Sequence, residues 1–292
     1  MFTDVVSIIQ YKISVWGAEK TDRSISDEVC QSKNADNNAG KFIKSLLGGK
    51  CDELKAIQNY AQMARLALKR ITLPYQNGLM VPNAQLINVI DQIQAIRRQF
   101  NILVDEFVEV YPDIIQRAKE RNSELFDERL CPHDVRSKFA FTFHVEPLPD
   151  SNMFDRSLGL DTLKEQIKLD LENQMKQVFK NAENELINRL EGRAKVLYER
   201  LSDFDSKRQL DNRLFKTSLK LVDECLRLNV TNNSEVIRIA DTITQVCTKD
   251  GEFYRSNPLD RNAAITLIGS LLGVTQPVVE VDNELEAALG RI

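Results

Sequence analysis

The sequence predicts an α+β fold that is predominantly helical: a small antiparallel sheet among helices, a long helical hairpin forming a coiled-coil-like arm, and small C-terminal helices. Apolar residues recur by threes and fours from Leu160 to Phe204, the spacing of a single helix. Residues Lys138 to Val145 alternate between apolar and polar, the spacing of a strand. Pro147-Leu148-Pro149-Asp150-Ser151 separates the two patterns. The expected organisation is an α+β head over residues 1–149, an all-helical domain over 150–273 and a tail over 274–292.

The chain has 292 residues, 42% hydrophobic and 28% charged, ordinary for a globular protein with a helical bias. A formal net charge of −4 with both signs interspersed implies no global pull toward nucleic acid or an anionic membrane, though a local patch remains open. The five cysteines, Cys30, Cys51, Cys131, Cys225 and Cys247, are widely spaced without a Cys-x-x-Cys pair, and there are only two histidines. Reduced, mostly buried thiols are expected, with no metal site and no cofactor. The N-terminus has no basic region before a long apolar run, and no stretch is long enough to span a bilayer, so the expected location is the cytoplasm. Sequons at Asn229 and Asn232 then read as features of a polar turn.

Taken in order, Val5 to Trp16 alternates Tyr11, Ile13 and Val15 with polar neighbours and predicts a half-buried strand ended by Gly17. From Thr21 to Lys50 the composition turns polar, and a mobile loop over 21–50 with one short amphipathic turn is expected. A helix follows from about Asp52 to Arg70, burying Leu54, Ile57, Ala61, Ala64 and Leu68. Asn77-Gly78 between Ile71-Thr72-Leu73 and Leu79-Met80-Val81 predicts a hairpin, which Pro74 and Pro82 restrict to edge positions or a β-like loop. A second long helix runs from Pro82 to about Tyr111, where Pro112 is expected to stop it before a further helix through about Phe126. The strand at 138–145 must turn Phe139, Phe141 and Phe143 to a core, and pairing with the N-terminal strand would place a small sheet under the helices.

The long helix should reach about 65 Å. Its seam repeats near 3.67 residues per turn, which keeps it nearly straight or weakly right-handed. Either the following helix, with Leu210, Leu214, Leu221, Cys225 and Leu228, or a second copy of the chain could satisfy the seam over 160–204. Glu172 with Lys176, Glu185 with Arg189 and Glu191 with Lys195 are spaced to pair on its solvated face. Two shorter helices are expected from about Ser234 to Lys249, closed by Gly251, and from Pro258 to Leu272, closed by Gly273. In the tail Asn283 can cap a last turn, and the segment is a candidate for partner binding.

Candidate chemistry is sparse. Gly48-Gly49-Lys50 invites a phosphate-loop reading, but Lys44 stands where a glycine is needed and Cys51 where a hydroxyl is needed. Lys207, Arg208, Arg213, Lys216 and Lys220 form the most basic run, with Phe215 the only aromatic in it. Because the domain is not basic, acidic neighbours are expected to neutralise this face. Trp16, the sole tryptophan, is more simply a core anchor than a hot spot. Arg136, Lys138 and His144 could seed a catalytic site, but alternation turns Lys138 and His144 outward, where water is hard to exclude.

Ile13-Ser14-Val15-Trp16-Gly17 with Lys20, Lys69-Arg70 before the hairpin, Val81-Pro82, Phe107, Tyr111-Pro112, and Val135-Arg136-Ser137-Lys138-Phe139-Ala140-Phe141 resemble an uncharacterised family of bacteria and tailed phages. The resemblance covers roughly residues 5 to 150 and extends more loosely into the helical half. It implies gene neighbours, a MoxR-type AAA+ ATPase and a von Willebrand factor A protein, both resembling cobaltochelatase subunits, and no defined catalytic residues. The chain departs from the family by its insertion between Thr21 and Lys50.

The expectation is therefore a non-catalytic adaptor that partners the AAA+ ATPase and the von Willebrand A protein. Trp16, Gly17, Arg136 and Lys138 are its candidate contact residues in the head. The alternative is a nucleic-acid-associated protein that uses the basic helix over 207–220.

Overall fold

The structure, a computed structural model, describes residues 5–36, 39–49, 51–76, 78–148, 161–203 and 210–274, apart from the side chains of 161–164. Expectations about Lys50, Asn77, the junction at 149–151, Leu160, Phe204, Lys207, Arg208, residues 275–292 and Asn283 lie outside the described residues. The chain divides into two compact units, Phe2–Leu148 and, with Met1, Pro149–Ile292.

The head is built around β1 (Val6–Ser14). The hairpin strands β4 (Leu73–Tyr75) and β5 (Gly78–Pro82) lie on one side of it and β6 (Ala140–Pro147) on the other, giving an antiparallel sheet in the order β4-β5-β1-β6. Register sets Ile9 opposite Leu79, Tyr11 opposite Phe143 and Ile13 opposite Phe141. These side chains form the face that meets α2 (Asp52–Arg70) and α3 (Leu86–Asn122). Phe100 meets Phe141 edge-on at 6.0 Å, and Phe107 meets Phe139 at 5.6 Å. Burying each such ring contributes about 1.5–3 kcal/mol. Ile8, Met80 and Leu73, aligned across three strands on the opposite face, are also fully buried, so this end of the sheet is covered on both sides. Pro74 sits on the edge strand as expected, whereas β5 is interior and tolerates Pro82 because it is the last residue of the strand.

Three expectations for the head need correction. Polar composition predicts a loop over 21–50, yet this segment carries β2 (Glu19–Asp22), α1 (Arg23–Ser32) and β3 (Phe42–Ser45). β2 and β3 pair antiparallel as a separate two-stranded sheet. Side chains stitch it together: Ser26 Oγ donates to the Asp22 carbonyl at 2.5 Å and accepts from the Phe42 N–H at 2.9 Å, while Lys44 Nζ binds Asp22 Oδ2 at 3.1 Å. Pro112 does not stop α3, which runs on to Asn122 and is 37 residues long in all. Its cost, roughly 3 kcal/mol in a helix interior, is offset by burial of Tyr111, Ile114 and Ala118, which prolong the stripe of Phe107. The Phe-rich strand starts two residues late because Arg136–Lys138 form a 3-10 turn.

In the second unit α4 (Asp161–Ser202) spans 42 residues, about 63 Å at 1.5 Å per residue. α5 (Asn212–Leu228), α6 (Ser234–Cys247) and α8 (Pro258–Leu271) pack against it, with α7 (Gly251–Ser256) joining α6 to α8. The buried residues of α4 fall between Phe179 and Leu201, where Leu186, Leu190, Ala194, Leu197 and Leu201 form the bundle core. That half of the seam is satisfied within the chain. Of the three pairs expected on the solvated face, Glu185–Arg189 closes, at 2.8 Å.

Gly251 does not close α6 but starts α7, capped by Asp250, whose carboxylate accepts from the Phe253 N–H at 2.8 Å. A Cβ at Gly251 would lie 2.2 Å from the Leu210 carbonyl oxygen, so only glycine admits that approach. Gly273 follows α8 as expected, and the Val274 N–H returns to the Gly269 carbonyl at 2.9 Å. Asn229 and Asn233 build the turn before α6. The Asn229 carboxamide accepts from the Asn233 N–H at 2.9 Å, and Asn233 Oδ1 caps the helix at Glu235 and Val236.

Candidate functional site

In the head, the expected contact residues gather at one end of the β1–β6 ladder, where Ser14 pairs with Ala140. Trp16 is half-buried, edge-on to Tyr111 at 6.2 Å, and its carbonyl accepts from Gln58 Nε2 at 3.1 Å. Arg65 likewise donates to the Ile13 carbonyl at 2.8 Å, so α2 clamps the end of β1. Trp16 is thus an anchor with one edge exposed. Gly17 is exposed with open space where a side chain would stand. Arg136 forms an ion pair with Asp105 of α3, a partner 31 residues away that no local pattern could indicate. Lys138 points to solvent.

Beside this end, the Tyr111 hydroxyl is buried without a hydrogen-bond partner among the described residues; the Cys131 thiol adjoins it but does not meet hydrogen-bond geometry. Burial pushes both groups above their ordinary values, which keeps them protonated and unreactive. His144 lies on the exposed face of β6 with Nε2 2.8 Å from Glu146 Oε1, and His133 is also exposed. Arg136, Lys138 and His144 therefore do not converge on a closed site.

Gly48 and Gly49, both at positive φ, precede α2 and line a cleft of about 560 Å³ with Asp52, Glu53, Arg117 and Arg121. A phosphate site would aim bare backbone N–H groups at its ligand. Here the first turn of α2 carries Asp52 and Glu53 instead, and Glu53 takes Arg117 at 2.9 Å. The Arg117 guanidinium holds the Glu53 carboxyl below the usual range, so the carboxylate is ionised where a phosphate would sit. Cys51 is buried, and burial raises its thiol. The geometry agrees with rejecting a phosphate loop.

On α5, Arg213, Lys216 and Lys220 share the exposed face, away from buried Phe215, Ser218 and Val222. Acidic neighbours were expected to neutralise them. Among the described residues none of the three has an ion-pair partner, while Arg227 one turn further on is held by Asp223 at 2.8 Å. Arg200 of α4 joins Arg213 and Asp211 in lining a cleft of about 390 Å³ at the start of α5. Its position thirteen residues upstream hid it from a search for local basic runs. Elsewhere in this unit burial pushes the Cys247 thiol up to about 11 and the Tyr254 hydroxyl up to about 12.

All five cysteines are free and buried. Among the described residues no group of His, Cys, Asp or Glu is arranged to hold a metal ion, and no helix is long and apolar enough to cross a membrane.

Along α4 the apolar spacing continues through Ile167, Leu171, Met175 and Val178, yet the stretch 165–178 contains no buried residue. Leu169 beside it is 56% exposed. Among the described residues this half of the helix presents an apolar stripe that is only partly covered.

No curated protein and no solved structure matches the chain. A family model described as "Protein of unknown function (DUF3150)" matches residues 3–228, from the head through the end of α5.

Proposed function

Given that the chain belongs to this family of unknown function, DUF3150, we propose that it is a non-catalytic interaction protein that partners a MoxR-type AAA+ ATPase and a von Willebrand A protein in a bacterium or phage-infected cell. The head serves as a folded body, and the first half of α4 serves as the docking arm. One observation carries the reading: α4 keeps its apolar spacing beyond the bundle, with Ile167, Leu171, Met175 and Val178 only partly covered. Such a stripe is what a helix groove or partner helix recognises. The family resemblance supplies the identity of the partners.

The test is co-purification with the neighbouring ATPase and measurement of its hydrolysis rate. Leu171→Asp with Met175→Asp should abolish association and any change in hydrolysis, while the bundle core from Phe179 onward keeps its thermal transition. No association of the unmodified protein with the ATPase, or association unaffected by the double change, would remove the reading.

Arg213, Lys216 and Lys220, without an ion-pair partner among the described residues, favour a second reading, nucleic-acid binding by the exposed face of α5. Three phosphate contacts give a salt slope near −2.7, so affinity should fall about 40-fold between 50 and 200 mM salt. Arg213→Glu with Lys216→Glu should eliminate binding. A filter-binding series that shows no retention at low salt would dismiss this alternative.

A further inference from the structure

The geometry points to the free edge of β6 as a self-association surface, on which a second copy of the same strand pairs antiparallel to make one continuous eight-stranded sheet. β6 is eight residues long and pairs with β1 alone. Among the described residues its backbone makes no hydrogen bond to anything but β1. From Thr142 to Pro147 every residue except half-buried Phe143 is exposed, so nothing among the described residues covers this edge. Proteins that keep such an edge solitary protect it with lysine, a bulge or an early proline. Between Ala140 and Glu146 β6 has none of these, and Pro147 stands at its very end.

The sequence of the strand identifies the occupant. Two-fold antiparallel pairing centred on Phe143 places Phe143 opposite its own copy and Phe141 opposite Val145, all on the face lined by α2 and α3. The other face then pairs Thr142 with His144 and Ala140 with Glu146, so no like charges meet. Val145, 39% exposed in one copy, would be covered by Phe141 of the other. The opposite sheet edge, β4, has three residues with Pro74 in the middle and offers no comparable template. Pairing therefore closes at a dimer and does not propagate into a fibre.

The experiment uses the full chain. Light scattering coupled to size exclusion should give twice the 33.4 kDa chain mass, and Val145→Lys, which puts a charge on the apolar side of the edge, should return the mass to one chain with unchanged circular dichroism. Opposed residues in such a ladder have Cβ atoms about 4.5–5.5 Å apart. Thr142→Cys and His144→Cys proteins, both altered on the solvent face, should therefore form a mixed disulfide when combined and oxidised, and far less of it after Val145→Lys is added to each. A monomer at high micromolar concentration, a dimer indifferent to Val145→Lys, or a dimer in which the two thiols never join would each overturn the proposal.

Discussion

Replacing Pro112 should make the head more stable. The residue is exposed to solvent about two-thirds of the way along α3, between buried Tyr111 and Ile114. Proline there has no N–H to give the Val108 carbonyl, and its ring presses on that carbonyl, at a cost of about 3 kcal/mol in a helix interior. Alanine removes both penalties but frees the unfolded chain, which returns about 0.4–1 kcal/mol. The net gain for Pro112→Ala is about 2 kcal/mol. Trp16, the only tryptophan, packs edge-on against Tyr111 and so reports on this helix by fluorescence without interference from the second unit. With a urea slope near 2 kcal/mol per molar, the midpoint should rise by about 1 M. Pro112→Gly should gain roughly 1 kcal/mol less than alanine. A midpoint that stays put or falls with alanine would show that α3 needs its proline and that the accounting at Val108 is wrong.

Gly251→Ala should destabilise the helical unit by about 1–3 kcal/mol, because the new methyl meets the Leu210 backbone, which cannot yield without moving the start of α5; calorimetry would show a lower transition for that unit and an unchanged one for the head. Glu53→Gln tests the ion pair with Arg117. Its carboxyl is held below the usual glutamate value, about 4.3, by Arg117, so the pair's contribution is complete above that value and fades as pH falls through the lowered one. The substituted protein should be slightly less stable than the original at neutral pH and indistinguishable from it in strong acid, and a gap that persists in acid would contradict the assignment.

Elements held together by their own periodicity were legible in the sequence. α2 occupies Asp52–Arg70 as its apolar stripe requires, and α4 lies within two residues of its predicted ends because caps matter little against forty residues of consistent spacing. The pairing of β1 with β6 followed from two alternating strands with matching apolar faces. What escaped depends on distant partners. β2 and β3 are short strands, β2 wholly polar, joined through Ser26 and Lys44 across a separation no window of periodicity spans. Pro112 reads as a stop in isolation, and only the buried residues after it show that the helix continues. Among the site residues, Trp16 announced its anchoring role by being unique, whereas the ion pair of Arg136 with Asp105 and the exposure of Arg213, Lys216 and Lys220 without an ion-pair partner among the described residues are properties of the assembled surface.

The central position of β1 also sets a timetable for synthesis. Its partners are encoded 70 to 76 residues away in β5 and 126 to 140 away in β6. At roughly 5–20 residues per second, β1 waits about 7–28 s on the ribosome before β6 exists. During that interval α2 and α3 can form from local contacts, but Ile8, Ile9 and Ile13 have no finished sheet to join. The head therefore completes late and in a single closing step, and a nascent chain stalled before Ala140 would display an apolar strand that a holding chaperone must shield.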